Sequence, residues 1–224
     1  MRSILTDMCF PRFCGVCGKI LVSQEDVLCL PCLHDLPRTY QWMMADNPLA
    51  GTFKGKISFV NASSFLFFRE ASPYRKLLHQ FKYGGESRIG IYLGSLFGKE
   101  LVRSSVFSAA PVIIPMPMSS VKQRKRGYNQ AEWLAAGIAL ASGWPMDTTA
   151  VKRIREKTSQ VAYDRERRRE NMKNAFVAKA IPYSDVLLID DVITTGATME
   201  SCALAIMDRN PAIRLSLASL AYVE

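Results

Sequence analysis

The sequence predicts an α/β fold: a mainly parallel sheet flanked by helices, preceded by a small zinc-ribbon module. Three observations predict it. Short strands that are apolar on both faces alternate with helical segments, which is the pattern of a sheet covered on both sides. Four cysteines in two C-x-x-C pairs crowd into the first 32 residues. Hydrophobic residues make up 49% and charged residues 22% of the 224, which supplies a real core and excludes extensive disorder.

The cysteine pairs come first in the chain. Cys14-Gly-Val-Cys17 and Cys29-Leu-Pro-Cys32 are separated by 11 residues. Each pair can present two thiolates from one tight turn, and Gly15 and Gly18 suit the positive φ such turns need. Two pairs make a closed tetrahedral S4 set, the structural zinc arrangement. All four thiolates are then used in ligation, so the expected role is a structural cap or docking surface rather than a catalytic metal. Cys9 and His34 are spare donors nearby and rank below the paired cysteines. Cys202 falls in a predicted helix over 199–209 and reads as a small buried hydrophobe. The module is assigned to 1–37. Pro37, Pro48, Gly51 and Gly55 then mark 38–55 as a connector.

From residue 56 to 224 the pattern is that of a larger domain. Residues 57–68 are β-branched and aromatic and read as a strand. Residues 73–83 carry Leu77, Leu78 and Phe81 at helical spacing, with Ser72 as N-cap, Pro73 at N1 and Gly84-Gly85 as the stop. A second amphipathic helix covers 89–102, an apolar strand 111–114, and an Ala/Leu-rich helix 130–141. A second wholly apolar strand at 186–189 leads to the helix at 199–209, and 213–223 closes with strand character.

The most informative stretch is Val186-Leu-Leu-Ile-Asp190-Asp191-Val-Ile-Thr194-Thr195-Gly196-Ala197-Thr198. Two carboxylates stand at the C-terminal end of a buried strand, where open α/β sheets bind ligands. A loop of small hydroxylated residues follows and runs into a helix, offering N–H groups and hydroxyls to one phosphate. No Lys follows the glycine, so this is not a Walker A loop. Acids beside a phosphate cradle suit a ligand that also carries a cis-diol, as ribose 5-phosphate does, and carboxylates can hold Mg²⁺.

The chain has a formal charge of +9, and residues 122–179 hold fourteen Lys/Arg against six Asp/Glu. Nearly all the excess therefore sits in one quarter of the sequence. It marks either a surface that meets an anion or a solvated basic face. No apolar run approaches the roughly 20 residues of a membrane-spanning helix, and residues 1–13 lack the apolar h-region of a secretory signal. A soluble cytoplasmic protein without membrane insertion is expected.

Residues 186–198 resemble the thirteen-residue signature of type I phosphoribosyltransferases at every position. The cysteine ribbon, Phe81-Lys82-Tyr83, Ile114-Pro115-Met116-Pro117, Arg126-Gly127-Tyr128-Asn129-Gln130 and the Lys157…Gln160…Arg165…Asn171 stretch together resemble the ComF-type competence proteins. The resemblance implies a type I phosphoribosyltransferase-like domain and a ligand, 5-phosphoribosyl 1-pyrophosphate with Mg²⁺. It implies Asp190 and Asp191 as the catalytic acids, with Thr194, Thr195, Gly196, Ala197 and Thr198 completing the binding loop. A pyrophosphate loop is expected in 115–127, with Lys122 and Arg126, and a closing loop in 153–171, with Arg153, Lys157 and Gln160. The acceptor pocket should involve residues before Pro111. Three functions follow as expectations: a phosphoribosyltransferase acting on an unknown base or amine, a single-stranded-DNA-binding accessory protein that works with competence proteins, or a ligand-sensing regulator. Tyr128, Trp133 and Tyr163 lie near the basic segment, where they would stack on bases or belong to the core. His79 reads as a packed or exposed histidine rather than a catalyst, and Trp133, Phe176 and Tyr222 read as core.

Overall fold

The computed structural model describes residues 11–107, 110–154 and 175–223, apart from the side chains of Ser120, Lys122 and Lys125. Four strands form one sheet: β1 (Ala62–Phe68), β2 (Val112–Pro115), β5 (Asp185–Ile193) and β6 (Arg214–Val223), with β3 and β4 outside it. Their order is β1-β6-β5-β2 and every pairing is parallel. β3 (Val151–Arg153) and β4 (Phe176–Ala178) form a separate antiparallel pair.

Alternate residues of the central strands feed two different cores, as expected for a sheet buried on both faces. Ile113, Leu187, Ile189, Ala218 and Leu220 face one way. There they meet Leu77 and Phe81 of α3 (Arg75–Tyr83), Leu93 and Phe97 of α4 (Ser87–Arg103), and Leu134 and Ile138 of α6 (Gln130–Ser142). Val112, Ile114, Val186, Leu188, Leu215 and Leu217 face the other way. Their partners are Leu49 and Phe53 of α2 (Pro48–Phe53), Phe176 of β4, and Met199 and Ile206 of α7 (Ala197–Arg209). The remaining helices are short: α1 (Leu30–His34), a 3-10 turn at Gln41–Met43, and α5 (Ser120–Arg126).

Helices α4 and α6 meet closely through Gly94 and Gly137. A Cβ on either glycine would collide with the opposite backbone, at the Leu134 carbonyl or the Ile91 carbonyl. Ser95 Oγ donates to the Gly137 carbonyl at 3.1 Å across the same contact.

Some boundaries differ from the sequence reading. The strand expected at 57–68 begins at Ala62. Before it, Ile57 turns back on α2, its N–H reaching the Phe53 carbonyl at 3.4 Å. The helix expected from residue 73 begins at Arg75, because Ser72 makes a turn first. Its Oγ accepts from the Tyr74 N–H at 3.3 Å and its carbonyl accepts from the Arg75 N–H at 3.0 Å. Residues 38–55, the connector of the sequence reading, carry regular structure. They carry the 3-10 turn and α2, and they bury Trp42, Leu49 and Phe53 almost completely. The N-terminal ribbon also shares a core with the sheet: Leu21, Leu28 and Leu36 pack in the same cluster as Leu77 and Phe81.

Candidate functional site

Cys14 and Cys17 sit on a miniature hairpin that is closed by pairing of Phe13 with Ile20 and by the Cys14 N–H on the Lys19 carbonyl at 2.8 Å. Gly18 takes the left-handed φ of +73° that the turn requires. Cys29 precedes α1 and Cys32 lies within it, with Pro31 in the first turn where a missing N–H costs nothing. The four Sγ atoms all lie within 4.8 Å of one another, and Cys17 and Cys29 are 3.6 Å apart. Zn–S bonds of about 2.3 Å in a tetrahedron require edges of about 3.8 Å, so the set fits a structural zinc. The Cys29 N–H points at Cys14 Sγ at 3.4 Å, and the Tyr74 hydroxyl donates to the Cys32 carbonyl at 2.8 Å, so helix α3 is tied to the second pair.

The electrostatics favour a cation here. Burial opposes ionisation of Cys14, but the amides of Cys17, Cys29 and Val16 outweigh it and hold its pKa down at about 6. Cys32 is pushed up, by burial first and then by the neighbouring sulfurs. The Cys32 amide lowers Cys29, yet burial and the sulfurs of Cys17 and Cys14 leave it raised. Four thiolates this close repel one another unless a divalent ion neutralises them. His34 is exposed and bonded to Asp35 at 3.0 Å, outside the cluster. Cys9 lies outside the described residues. Cys202 is fully buried in α7, as a small hydrophobe would be, and burial followed by the charge of Asp190 raises its thiol pKa.

The second constellation lies at the C-terminal end of β5. This strand runs four residues beyond the last pairing with β2, which ends at Pro115 opposite Ile189. Asp190 and Asp191, both half-buried, therefore stand where β5 is paired with β6 alone. The Asp191 N–H donates to Asp190 Oδ1 at 2.8 Å, and the Val192 N–H to Asp191 Oδ1 at 2.7 Å. Burial, then the charge of Asp191, raises the pKa of Asp190 well above the ordinary carboxylate range. Thr194 and Thr195 are exposed, and Gly196 turns the chain into α7 with φ +73°. Residues Asp190 and Thr194–Thr198 line a small cavity of about 70 Å³ together with Val192, Ile193 and Met199. A Cβ on Gly196 would lie 2.9 Å from the Phe53 ring and 3.0 Å from Thr52 Cγ2, so α2 forms the back wall of this loop.

The expected basic contacts are only partly placed. Arg126 ends α5, its guanidinium 5.0 Å over the Tyr83 ring and 3.3 Å from Gln130 Oε1. Lys122 lies on the same helix. Arg153 ends β3 with its guanidinium 5.3 Å over the Phe176 ring. Lys157, Gln160 and Tyr163 fall outside the described residues. Tyr128 and Trp133 are stacked on each other, centroids 4.2 Å apart, rather than presented separately. His79 is exposed with its ring against Tyr83, while Phe176 is buried.

Lys82, read from the sequence only as part of a resemblance, reaches the acid pair: its Nζ is 3.9 Å from Asp191 Oδ2. Residues 82 and 191 are too far apart in the chain for spacing to connect them. The signal available was a basic residue in the last turn of a helix.

No protein-family model matches the chain. Among known proteins, competence protein F of Haemophilus influenzae is 34% identical over 134 residues, covering 57% of this chain and 58% of that protein. DNA utilization protein YhgH of Escherichia coli K12 is 29% identical over 137 residues, 59% of this chain and 60% of that protein. Competence protein ComFC of Bacillus subtilis is 27% identical over 151 residues, 63% of this chain and 57% of that protein. The chain thus spans less than two thirds of the length of these relatives. A parallel α/β sheet behind a four-cysteine cluster, together with these matches, relates the chain to the ComF-type competence proteins.

Proposed function

We propose that the chain binds 5-phosphoribosyl 1-pyrophosphate with Mg²⁺ and transfers its phosphoribosyl group to a base or amine, in the service of DNA utilisation. One observation carries this reading: two adjacent carboxylates on the end of an interior parallel strand run directly into a Gly196 turn and a helix N-terminus around a phosphate-sized cavity. Asp190 and Asp191 would accept from the ribose hydroxyls and offer hard oxygen donors suited to Mg²⁺. The 194–198 loop would hold the 5-phosphate through N–H groups and hydroxyls. When bound, Mg²⁺ would offset charge on the pyrophosphate. In the transfer, the bond from the anomeric carbon to pyrophosphate breaks as a bond to the acceptor nitrogen forms. The protein's task is to position the two partners and stabilise the leaving group. Arg126 and Lys122 on α5, and Arg153 with Lys157 and Gln160 beyond it, are the proposed pyrophosphate contacts. Zinc at Cys14, Cys17, Cys29 and Cys32 completes the proposal as a structural ion.

The test is a calorimetric titration of the full chain with the ligand and Mg²⁺, repeated on the Asp190→Ala/Asp191→Ala double variant. Binding by the parent and its loss in a folded variant is expected. Charge-assisted contacts of about 1.5–3 kcal/mol each would be removed. Equal affinity in both proteins refutes the site.

The names of the relatives favour a second reading, an accessory protein that holds single-stranded DNA along its basic segment. Both readings place an anion on the same part of the chain, and competition between ligand and DNA separates them. Among the described residues no helix is long and apolar enough to cross a membrane.

A further inference from the structure

Lys82 is anchored from outside its own helix. It stands in the last turn of α3, which Gly84 already closes through its N–H on the Gln80 carbonyl at 2.7 Å. Even so, the Lys82 carbonyl receives two side-chain donors from a distant part of the chain. Gln130 Nε2 donates to it at 2.7 Å and the Tyr128 hydroxyl at 3.2 Å. The same hydroxyl accepts from the Gly85 N–H at 2.9 Å, and the Tyr128 ring is stacked on Trp133. Gln130 is almost fully buried, so its amide is committed to this contact. The clamp fixes the backbone of Lys82 against the junction of α5 and α6.

Its side chain then spans from that junction to the acid pair. At 3.9 Å from Asp191 Oδ2 the ammonium neutralises the carboxylate but lies outside hydrogen-bonding distance, so it is not committed to Asp191. Arg126 is stacked on Tyr83, the residue after Lys82. A half-buried cation thus stands beside the acid pair while its backbone is anchored at the start of α6.

Resting on the proposed function, we propose that Lys82 is a ligand-binding residue of this site. It partners Asp191 in the free protein and turns to the pyrophosphate oxygens once the ribose hydroxyls and Mg²⁺ engage the carboxylates. The Tyr128–Gln130 clamp positions it.

The experiment compares two probes, 5-phosphoribosyl 1-pyrophosphate and ribose 5-phosphate, each with Mg²⁺, on the full chain by calorimetry. A lysine that contacts pyrophosphate matters only for the first probe, whereas one that merely balances Asp191 matters equally for both. Lys82→Met should weaken the first by about ten- to a hundredfold, the worth of a charge-assisted bond, and leave the second within about twofold. Lys82→Arg should restore most of the loss, and Tyr128→Phe should give an intermediate loss by loosening the clamp. Lys82→Gln serves if the methionine variant does not fold. Equal weakening of both probes, or unchanged affinity for the pyrophosphate ligand, overturns the role of Lys82 and leaves the proposed function standing. Failure of the parent chain to bind either probe overturns the proposed function itself.

Discussion

Asp190 lies half-buried beside a second carboxylate, and burial together with that neighbour raises its pKa. An acid whose folded pKa exceeds its unfolded value stabilises the fold while protonated. That contribution is complete below the unfolded pKa and is lost as pH rises through the folded pKa. Asp190→Asn removes the titration. In the absence of ligand the variant should therefore melt above the parent at neutral and alkaline pH, and the difference should close on acidification. A few degrees is the expected scale, since about 1 kcal/mol moves Tm by about 2–4 °C in a chain of this size. Melting curves across pH check this, and a variant less stable than the parent at alkaline pH would contradict it. Gly196 gives a second single-residue prediction. Its φ of +73° and the Phe53 ring 2.9 Å from a would-be Cβ both oppose a side chain. Gly196→Ala should cost about 1–2 kcal/mol, measured by denaturant titration, and should weaken any anion held by the loop. The acids and the threonine loop were legible in the sequence because they are contiguous, so strand, turn and helix start follow from one stretch. Lys82, Tyr128 and Gln130 were not legible as a unit, because only tertiary packing brings them to Asp191.

Elements were readable where their period was long or their flanks distinctive. The two wholly apolar strands and helices α4, α6 and α7 lie within a few residues of where periodicity puts them. α2 escaped because Pro48 looked like a breaker. It is a helix start, with Asn47 as the cap whose side chain accepts from the Ala50 N–H at 3.0 Å. α5 escaped because Ser-Val-Lys-Gln-Arg-Lys-Arg carries no apolar stripe. The β3–β4 pair has three residues a side, too few to show alternation. The ribbon was legible from cysteine spacing alone, but its docking was not. Leu21, Leu28 and Leu36 join the core that contains Leu77 and Phe81, and Leu77 packs beneath Gly15. Loss of metal should therefore be felt beyond the ribbon. Cys17 is exposed, so Cys17→Ser removes a thiolate without opening a cavity. The parent should hold about one zinc per chain as an S4 site. The variant should hold little and should melt at a lower temperature. Metal analysis with calorimetry decides, and a full zinc content in the variant would exclude Cys17 as a ligand.

Across the whole molecule the sheet separates two cores, and the acid pair stands at the C-terminal end of the interior strand β5. The basic segment of the sequence continues into residues 155–174, outside the described residues. A polyanion and a small phosphorylated ligand are both anions that this segment would attract. The chain's charge of +9 makes association with single-stranded DNA strongly salt-dependent if it occurs there. Two groups of residues separate the uses. Removing charge at Arg167, Arg168 and Arg169 should lower DNA affinity and flatten its salt dependence by about 0.7 of a slope unit per lost phosphate contact, while small-ligand affinity holds. Removing charge at Arg126 and Arg153 should weaken the small ligand first. Fluorescence anisotropy of labelled single-stranded DNA, with and without saturating 5-phosphoribosyl 1-pyrophosphate and Mg²⁺, then reads the arrangement. Mutual exclusion would put DNA across the acid pair and make the ligand a regulator of DNA binding. Independent binding would mean two separate sites. An absence of DNA binding at moderate salt removes the accessory reading and leaves phosphoribosyl transfer, because the carboxylate pair and the Gly196 turn would then be the features with a chemical purpose at that strand end.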